Sequence, residues 1–162
     1  MRIFQTFSAL ATALAICASA SFAATGKITG QASVIDGDTI EIHAERIRLN
    51  GIDAPESDQH CTDADGKSWR CGAASAWHLD ETIAQQVVTC QVLSQDRYGR
   101  HIADCFINRT GMNLNANLVE AGLAVAYRQY SMKYVPQEEA AYTSRRGMWQ
   151  GQFMMPWDYR RR

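Results

Sequence analysis

The sequence predicts a β-rich α+β domain in which a small five-stranded barrel carries about three helices. Two observations predict this class. Short runs of alternating apolar and polar residues end at turn residues, as in strands, and two later segments repeat apolar residues at helical spacing. The 162 residues are 46% hydrophobic and 20% charged, with a net charge of −1. This composition indicates one folded soluble domain and argues against disorder, and it does not suggest the basic surface of a nucleic-acid binder.

The first 23 residues have the pattern of a secretory signal peptide. Arg2 precedes an apolar core over 9–18, and small residues lead up to Ala23. The core is too short to cross a bilayer, which takes roughly 20 residues. We expect cleavage after Ala23, a secreted or periplasmic location, and no stable membrane association of the mature chain, 24–162. A lipid anchor on Cys17 is the alternative, but an isoleucine precedes this cysteine where a small residue is preferred.

The predicted elements of the mature chain alternate short strands with a few helices. They are strands over 27–36, 39–43 and 46–50, a helix over about 72–85, strands over 87–94 and 101–107, a helix from Leu114 to Gly122, and a helix from about Pro136 to Gly147. The first helix repeats Ala76, Leu79 and Ile83 on one face. The tail from Trp149 is predicted to be irregular. Five strands with a helix after the third favour the five-stranded barrel that binds oligonucleotides or oligosaccharides, the OB-fold.

Four cysteines remain once the leader is removed. They are Cys61, Cys71, Cys90 and Cys105. An even number in an exported chain predicts two disulfides. We prefer the two local pairings, because Cys90 and Cys105 flank the turn of a predicted hairpin, while Cys61 and Cys71 close one loop. A zinc site that combines Cys61 and Cys71 with His60 or His78 is the alternative, although the usual CxxC spacing is absent.

Three short segments concentrate the polar residues that could carry chemistry. They are Ile35-Asp36-Gly37-Asp38-Thr39, the segment 48–56, and Asp96-Arg97-Tyr98-Gly99-Arg100. Each segment taken alone is typical of a turn or of a solvated loop. Together they supply carboxylates and arginines that could meet at one face of a barrel. Carboxylate and carbonyl oxygens suit hard cations, and the fork of an arginine matches phosphate oxygens. The combination indicates metal-assisted phosphate chemistry.

The order and spacing of these segments resemble the staphylococcal nuclease (thermonuclease) family. Members of this family are secreted, calcium-dependent phosphodiesterases with a five-stranded OB-fold and three helices. The likeness runs over about 28–149. It includes Gly122-Leu123-Ala124 followed by Tyr127, and the run Gly147-Met148-Trp149.

The resemblance implies a site for calcium (Ca2+). Asp38 and Asp53 would be carboxylate ligands, and the backbone carbonyl of Ala54 would be a further ligand. Asp36 would hold water that is bound to the ion. The family often has threonine where this chain has Ala54, but a backbone oxygen is all that this position must provide.

The resemblance also implies the catalytic residues. Glu56 corresponds to the acid that activates or orients the attacking water, and Arg48 and Arg100 correspond to the arginines that grip the scissile phosphate. We therefore expect Arg48→Lys or Arg100→Lys to lower turnover far more than it weakens folding, because an ammonium group cannot make the forked contact.

Three further residues are candidates for substrate binding. Tyr98 and Tyr127 match tyrosines that line the nucleotide pocket of the family, and Arg97 is a candidate phosphate contact. The spacing around Tyr127 departs from the family by one residue, so Tyr127 and Tyr130 are alternatives for the pocket position.

The net charge conceals two halves of opposite sign. Residues 24–65 hold three Lys or Arg against nine Asp or Glu, a balance of −6, while 66–162 hold twelve against eight, a balance of +4.

We expect a monomeric, calcium-dependent nuclease that hydrolyses DNA and RNA and, by resemblance, leaves 3′-phosphate ends. It should bind long nucleic acids less tightly than more basic relatives. The alternatives are a non-catalytic OB-fold module that binds nucleic acid or a partner, and a glycosidase. A glycosidase would use the carboxylates but would give Arg48 and Arg100 no role.

Overall fold

The computed structural model describes residues 26–162, so the predicted signal peptide lies outside the described residues. The strands are Lys27–Gln31 (β1), Ser33–Asp36 (β2), Thr39–Ile42 (β3), Glu45–Leu49 (β4), Ile52–Asp53 (β5), Cys61–Thr62 (β6), Ser68–Trp69 (β7), Val87–Gln95 (β8), His101–Ile107 (β9) and Val125–Ala126 (β10). The helices are Cys71–Ile83 (α1), Leu114–Glu120 (α2), Val135–Thr143 (α3) and Pro156–Tyr159 (α4), with a 3-10 helix at Gly147–Gln150. Within 26–162, no helix is long and apolar enough to span a bilayer.

Six strands form one curled mixed sheet in the order β1-β8-β9-β4-β3-β2. The strand predicted over 27–36 divides at Ala32, because its first half pairs with β8 and its second half pairs with β3. The two edge strands of the sheet are therefore consecutive in the chain, and the sheet curls into a half-barrel. The β4–β9 pair is parallel, and the other pairs are antiparallel. The β-rich α+β, OB-fold-like class is confirmed, with six strands in the sheet rather than five.

The helices α1 and α3 end earlier than the sequence predicts, and left-handed backbone conformations follow both ends. α1 stops at Ile83, since Ala84 and Gln85 have φ angles of 46° and 59°. α3 stops at Thr143, and Arg145 has a φ angle of 51° before the 3-10 helix begins. These conformations interrupt the right-handed helical path without a proline or a glycine at the stopping point.

Both predicted disulfides are formed. Cys90 and Cys105 lie directly opposite each other on β8 and β9, with their Cα atoms 4.0 Å apart. Cys61 joins β6 to Cys71 at the start of α1, with a Cα separation of 5.7 Å. The zinc alternative for Cys61 and Cys71 is wrong in this structure, because both sulfurs are used in the disulfide. Each bridge reduces the freedom of the unfolded chain.

The protein has a main core inside the curled sheet and a smaller core beneath the tail. Ile40, Ile47 and Leu118 are among the fully buried residues of the main core. The smaller core joins the Cys61–Cys71 bridge to buried residues and to aromatic side chains of the tail, namely Val125, Met148, Trp149, Phe153 and Trp157. The prediction that the tail is irregular is therefore wrong in part. Its aromatic residues bury apolar surface and place α4 against the rest of the molecule.

Candidate active site

The turn between β2 and β3 brings the first carboxylates to one end of the sheet. Asp36 ends β2, and its Oδ1 accepts a hydrogen bond from the backbone N–H of Asp38 at 3.0 Å. Asp38 directly precedes β3, in which Thr39 pairs with Arg48 of β4. The register of this strand pair therefore places Asp38 beside Arg48.

Two buried carboxylates share the guanidinium of Arg48. Asp38 is 3% exposed and Asp53 is 0% exposed. Arg48 donates through Nη1 to Asp38 Oδ1 and through Nη2 to Asp53 Oδ1, the second at 2.7 Å. The second oxygen of Asp38 accepts the backbone N–H of Ala54 at 2.9 Å. Arg48 thus compensates two charges that burial alone would make costly.

The charge states of this group reflect competition between burial and pairing. Burial raises the pKa of Asp38 to about 7, and the nearby charge of Arg48 opposes that rise. Burial by itself would lower the pKa of Arg48, but the charges of Asp38 and Asp53 raise it above the usual value. Arg48 therefore stays protonated, and Asp38 is a carboxylate whose ionised form needs a positive neighbour.

The loop that carries Glu56 is held by a buried glutamine. Gln59 is 0% exposed, and its Oε1 accepts the backbone N–H of Glu56 at 3.2 Å. Its Nε2 donates to the carbonyl oxygen of Met154 at 2.7 Å. Gln59 therefore connects the Glu56 loop to the tail of the chain. Gln59 lies three positions after Glu56 but is not among the residues predicted from the sequence.

The first turn of α1 lies directly against the same loop. A Cβ atom at Gly72 would lie 1.7 Å from the backbone carbonyl oxygen of Glu56. This distance is far below van der Waals contact, and backbone has little freedom to move away. The glycine is therefore required for the close approach of α1 to the loop that carries Glu56.

We expect Gly72→Ala to lower the free energy of unfolding by about 1–3 kcal/mol through overpacking and to reduce any activity that depends on Glu56. Gly26→Ala is the matched control, because nothing lies within 4 Å of a Cβ atom there. Urea unfolding of both variants checks the expectation. Equal stability of the two variants would contradict the close contact.

Arg160 of the tail also reaches this cluster, although it is not among the site residues predicted from the sequence. Its Nη2 donates to Asp53 Oδ2 at 2.7 Å and its Nη1 to Glu56 Oε1 at 2.6 Å. Partial burial would lower the pKa of Arg160, but its hydrogen bonds to Asp53 and Glu56 raise it. The one sequence signal is the run of arginines at 160–162, which contributes to the positive balance of residues 66–162 but does not indicate which carboxylates these side chains meet.

The turn between β8 and β9 supplies a second group of cations. Asp96 organises this turn, because its Oδ1 accepts the backbone N–H groups of Tyr98 and Arg100 and its Oδ2 accepts Nε of Arg100 at 2.9 Å. Slight burial would raise the pKa of Asp96, but these hydrogen bonds lower it. The guanidinium of Arg97 lies 4.8 Å from the ring centre of Tyr98. Tyr98 is 69% exposed, so its ring is free to stack on a ligand.

Tyr127 and Tyr130 lie together on another wall. Their rings meet edge to face with centroids 4.8 Å apart. Trp157 of α4 stacks on Tyr127 at 5.3 Å with an interplanar angle of 10°. Both tyrosines line the same cleft, so the structure does not choose between the two alternatives.

One cleft of about 860 Å³ collects almost all the predicted site residues. Asp53 is fully buried, and it reaches the cleft through Arg48 and Arg160, which both line it. The other predicted residues line the cleft directly: Asp36, Asp38, Arg48, Ala54, Glu56, Arg97, Tyr98, Arg100 and Tyr127. Arg100 does not join the Arg48 cluster, because its guanidinium is held by Asp96. A cleft with carboxylates at its base and arginines from separate segments can bind a phosphodiester and a cation together.

Comparison with known proteins identifies a family whose model matches the part of the chain that carries most of this site. The family model described as "Staphylococcal nuclease homologue" matches residues 46–151. The matched range contains Arg48, Asp53, Glu56 and Arg100, while Asp38 precedes it.

Several curated proteins are similar over most of the chain. The "Succinoglycan biosynthesis protein ExoI" of Rhizobium meliloti (strain 1021) is 44% identical over 128 residues, which is 77% of this chain and 66% of that relative. An "Uncharacterized endonuclease" of Escherichia coli O157:H7 is 37% identical over 80% of this chain and 82% of its own. The "Micrococcal nuclease" of Shigella flexneri is 31% identical over 79% and 77%. The chain belongs to the staphylococcal nuclease family.

Proposed function

We propose that this chain is a calcium-dependent nuclease that hydrolyses phosphodiester bonds of DNA and RNA and leaves 3′-phosphate ends. The observation that carries the proposal is that Arg48, Glu56 and Arg100 line one cleft, in which Arg48 also pairs with the two buried aspartates. The names of two relatives, an endonuclease and a micrococcal nuclease, support phosphodiester hydrolysis. The two disulfides suit a secreted or periplasmic location, where they persist. We propose that residues 24–162 act there as one monomeric domain.

The donor chemistry of the cluster fits a hard divalent cation. When all are ionised, the four carboxyl groups of Asp36, Asp38, Asp53 and Glu56 exceed the two guanidiniums of Arg48 and Arg160 by two negative charges. Within residues 26–162, no group of three or more His, Cys, Asp or Glu side chains is arranged to hold a metal on its own. We assign the ion to the carboxylates of Asp38 and Asp53, with the Ala54 carbonyl and water as further ligands and with Asp36 as the residue that holds the water.

The residues of the cleft divide the proposed reaction among them. Glu56, whose side chain is 36% exposed, orients a water molecule and takes its proton as the oxygen attacks phosphorus. The bond between phosphorus and the 5′-oxygen breaks, that oxygen takes a proton from solvent water, and the phosphate stays on the 3′ side. Arg48 and Arg100 stabilise the negative charge that develops on the phosphoryl oxygens. Asp38 and Asp53 would hold a divalent cation, which would supply further positive charge to stabilise the transition state.

The aromatic side chains define where the nucleotide bases would lie. Tyr98 offers an exposed ring beside Arg97 and Arg100. Tyr127 lines the same cleft, and the ring of Trp157 stacks on it. Base stacking on such rings tolerates any sequence, and phosphate contacts from Arg97 add affinity that salt weakens. This arrangement favours binding of single strands over reading of a particular sequence.

Cleavage in calcium and in EGTA tests the proposal. The mature protein should convert single-stranded DNA and RNA to shorter products with 3′-phosphate ends in calcium, and EGTA should abolish this, because the buried aspartates then have no divalent ion. End-labelled substrates resolved on a denaturing gel provide the measurement. Undiminished cleavage in EGTA would contradict the calcium dependence. Binding without cleavage in calcium would instead support the non-catalytic module, and degradation of a polysaccharide in parallel would support carbohydrate chemistry.

A further inference from the structure

Arg160 holds the carboxylate oxygens that the proposed calcium site needs. We propose that Arg160 is the counter-ion of Asp53 and Glu56 in the cation-free protein, and that it yields Asp53 to the divalent cation and so sets the cation affinity of the site. The inference rests on the proposed function, since it takes Asp53 as a ligand. It adds a residue from the tail that lies outside the matched range 46–151.

Every carboxylate oxygen of the two buried aspartates already accepts a hydrogen bond. Asp38 Oδ1 accepts from Arg48, and Asp38 Oδ2 accepts from the backbone N–H of Ala54. Asp53 Oδ1 accepts from Arg48, and Asp53 Oδ2 accepts from Arg160 at 2.7 Å. A cation that approaches these oxygens meets the positive charge of a guanidinium at short range. Binding of the cation therefore requires one arginine to withdraw.

Exposure and partners indicate which arginine withdraws. The side chain of Arg48 is 18% exposed, and both of its partners are buried aspartates. The side chain of Arg160 is 36% exposed, and its second partner, Glu56, is exposed to the same degree. Water can replace the contacts of Arg160 at lower cost, because a charge near the surface loses less hydration when it is paired. Arg160 is therefore the arginine that gives way.

The backbone around Arg160 is anchored while the side chain is free to turn. Pro156 is buried, Trp157 stacks on Tyr127, and the Met154 carbonyl accepts from buried Gln59 at 2.7 Å. Withdrawal of the guanidinium therefore needs rotation about side-chain bonds rather than release of α4. Arg160 remains a tethered competitor with a high effective concentration at the cleft. Its withdrawal also frees Glu56, the residue proposed to act on water.

Calcium binding to charge-matched variants tests this competition. Calorimetric titration compares the mature wild-type chain with Arg160→Gln and Arg161→Gln. Arg161 is the control, because it carries the same charge one position later, is 74% exposed and pairs with Asp158 at 3.6 Å. We expect Arg160→Gln to bind calcium about fivefold or more tightly than Arg161→Gln. Both variants lose one positive charge, but only Arg160→Gln loses the guanidinium that competes with the cation for Asp53.

Thermal unfolding supplies a second readout that does not depend on cleavage. In EGTA, Arg160→Gln should melt below Arg161→Gln, because buried Asp53 loses one of its two partners. In saturating calcium the difference should shrink or reverse. Arg160→Lys, which keeps the charge but cannot bridge both carboxylates with a flat fork, should bind calcium with intermediate affinity. The lysine variant keeps the comparison available if the glutamine variant does not fold.

The outcomes separate this inference from the proposed function. If the wild type binds calcium and cleaves, but Arg160→Gln binds no more tightly than Arg161→Gln, the competition is refuted and the nuclease proposal stands. If the wild type neither binds calcium nor cleaves, both are refuted. Tighter binding by Arg160→Gln with intermediate binding by Arg160→Lys supports the competition.

Discussion

Replacement of Arg48 by alanine should lower the free energy of unfolding by about 3–5 kcal/mol, because it removes the partner of buried charges. Arg48 pairs with Asp38, which is 3% exposed, and with Asp53, which is 0% exposed. Arg160 still pairs with Asp53, but Asp38 would keep no guanidinium partner. Urea unfolding in EGTA measures the loss. Cleavage should also fall to background, since the same residue is proposed to bind the phosphate.

Arg46→Ala on the same strand is the matched control for this prediction. Arg46 is 63% exposed and lies 3.8 Å from Glu41, a pair at the surface. Its loss should cost about 0–1 kcal/mol, as is usual for exposed ion pairs. Calcium should restore part of the stability of Arg48→Ala but not alter Arg46→Ala, because a cation can replace the missing charge only between the buried aspartates. Equal unfolding midpoints of the two variants in EGTA would contradict this account.

Replacement of Arg100 by lysine should lower kcat by about a hundredfold or more, a typical cost for a lost contact to developing charge. Melting should hardly change, since Arg100 and Asp96 form a partly exposed pair at a hairpin turn. The backbone N–H groups of Tyr98 and Arg100 would still be bound by Asp96. The loss would therefore come from the fork of the guanidinium, which an ammonium group cannot reproduce.

Arg109→Lys is the control for Arg100→Lys, because Arg109 is exposed and its Nε donates to Gln86 at 2.8 Å, away from the cleft. Steady-state cleavage and thermal melting of both variants provide the comparison. Equal kcat values would rule out a role of Arg100 at the phosphate. A fall in melting temperature that matches the fall in kcat would show that Arg100 acts through folding instead.

The two arginines therefore have different expected effects, although the sequence treats them alike. From sequence, both substitutions should affect turnover far more than folding. The structure supports this for Arg100, which lies at a partly exposed turn, but gives Arg48 a second task as the counter-ion of two buried aspartates. Arg48 has this second role because Asp53 lies in β5, which pairs with β10, and is buried there. Burial is a property of the folded chain that no local motif reports.

Local patterns predicted the elements well where neighbours along the chain control the conformation. Alternation placed β3, β4, β8 and β9 within one or two residues, and apolar spacing located α1 and α2. The division of the first strand at Ala32 could not be predicted, because it depends on pairing with β8 and β3, which are distant from each other in the chain. The tail was missed because α4 is four residues long and depends on packing against the smaller core.

The sequence by itself determined the chemical groups of the site, which are two short acidic segments and two arginines. The local spacing of the four cysteines also predicted both disulfides. Only the tertiary structure decided which of those groups meet and in what state of charge. It separated Arg100 from the Arg48 cluster and buried Asp53, and it brought Arg160 to an oxygen of Asp53 across 107 residues of chain. The reason is physical: spacing along the chain specifies local conformation, whereas the energy of an ion pair depends on distance and burial in the folded protein.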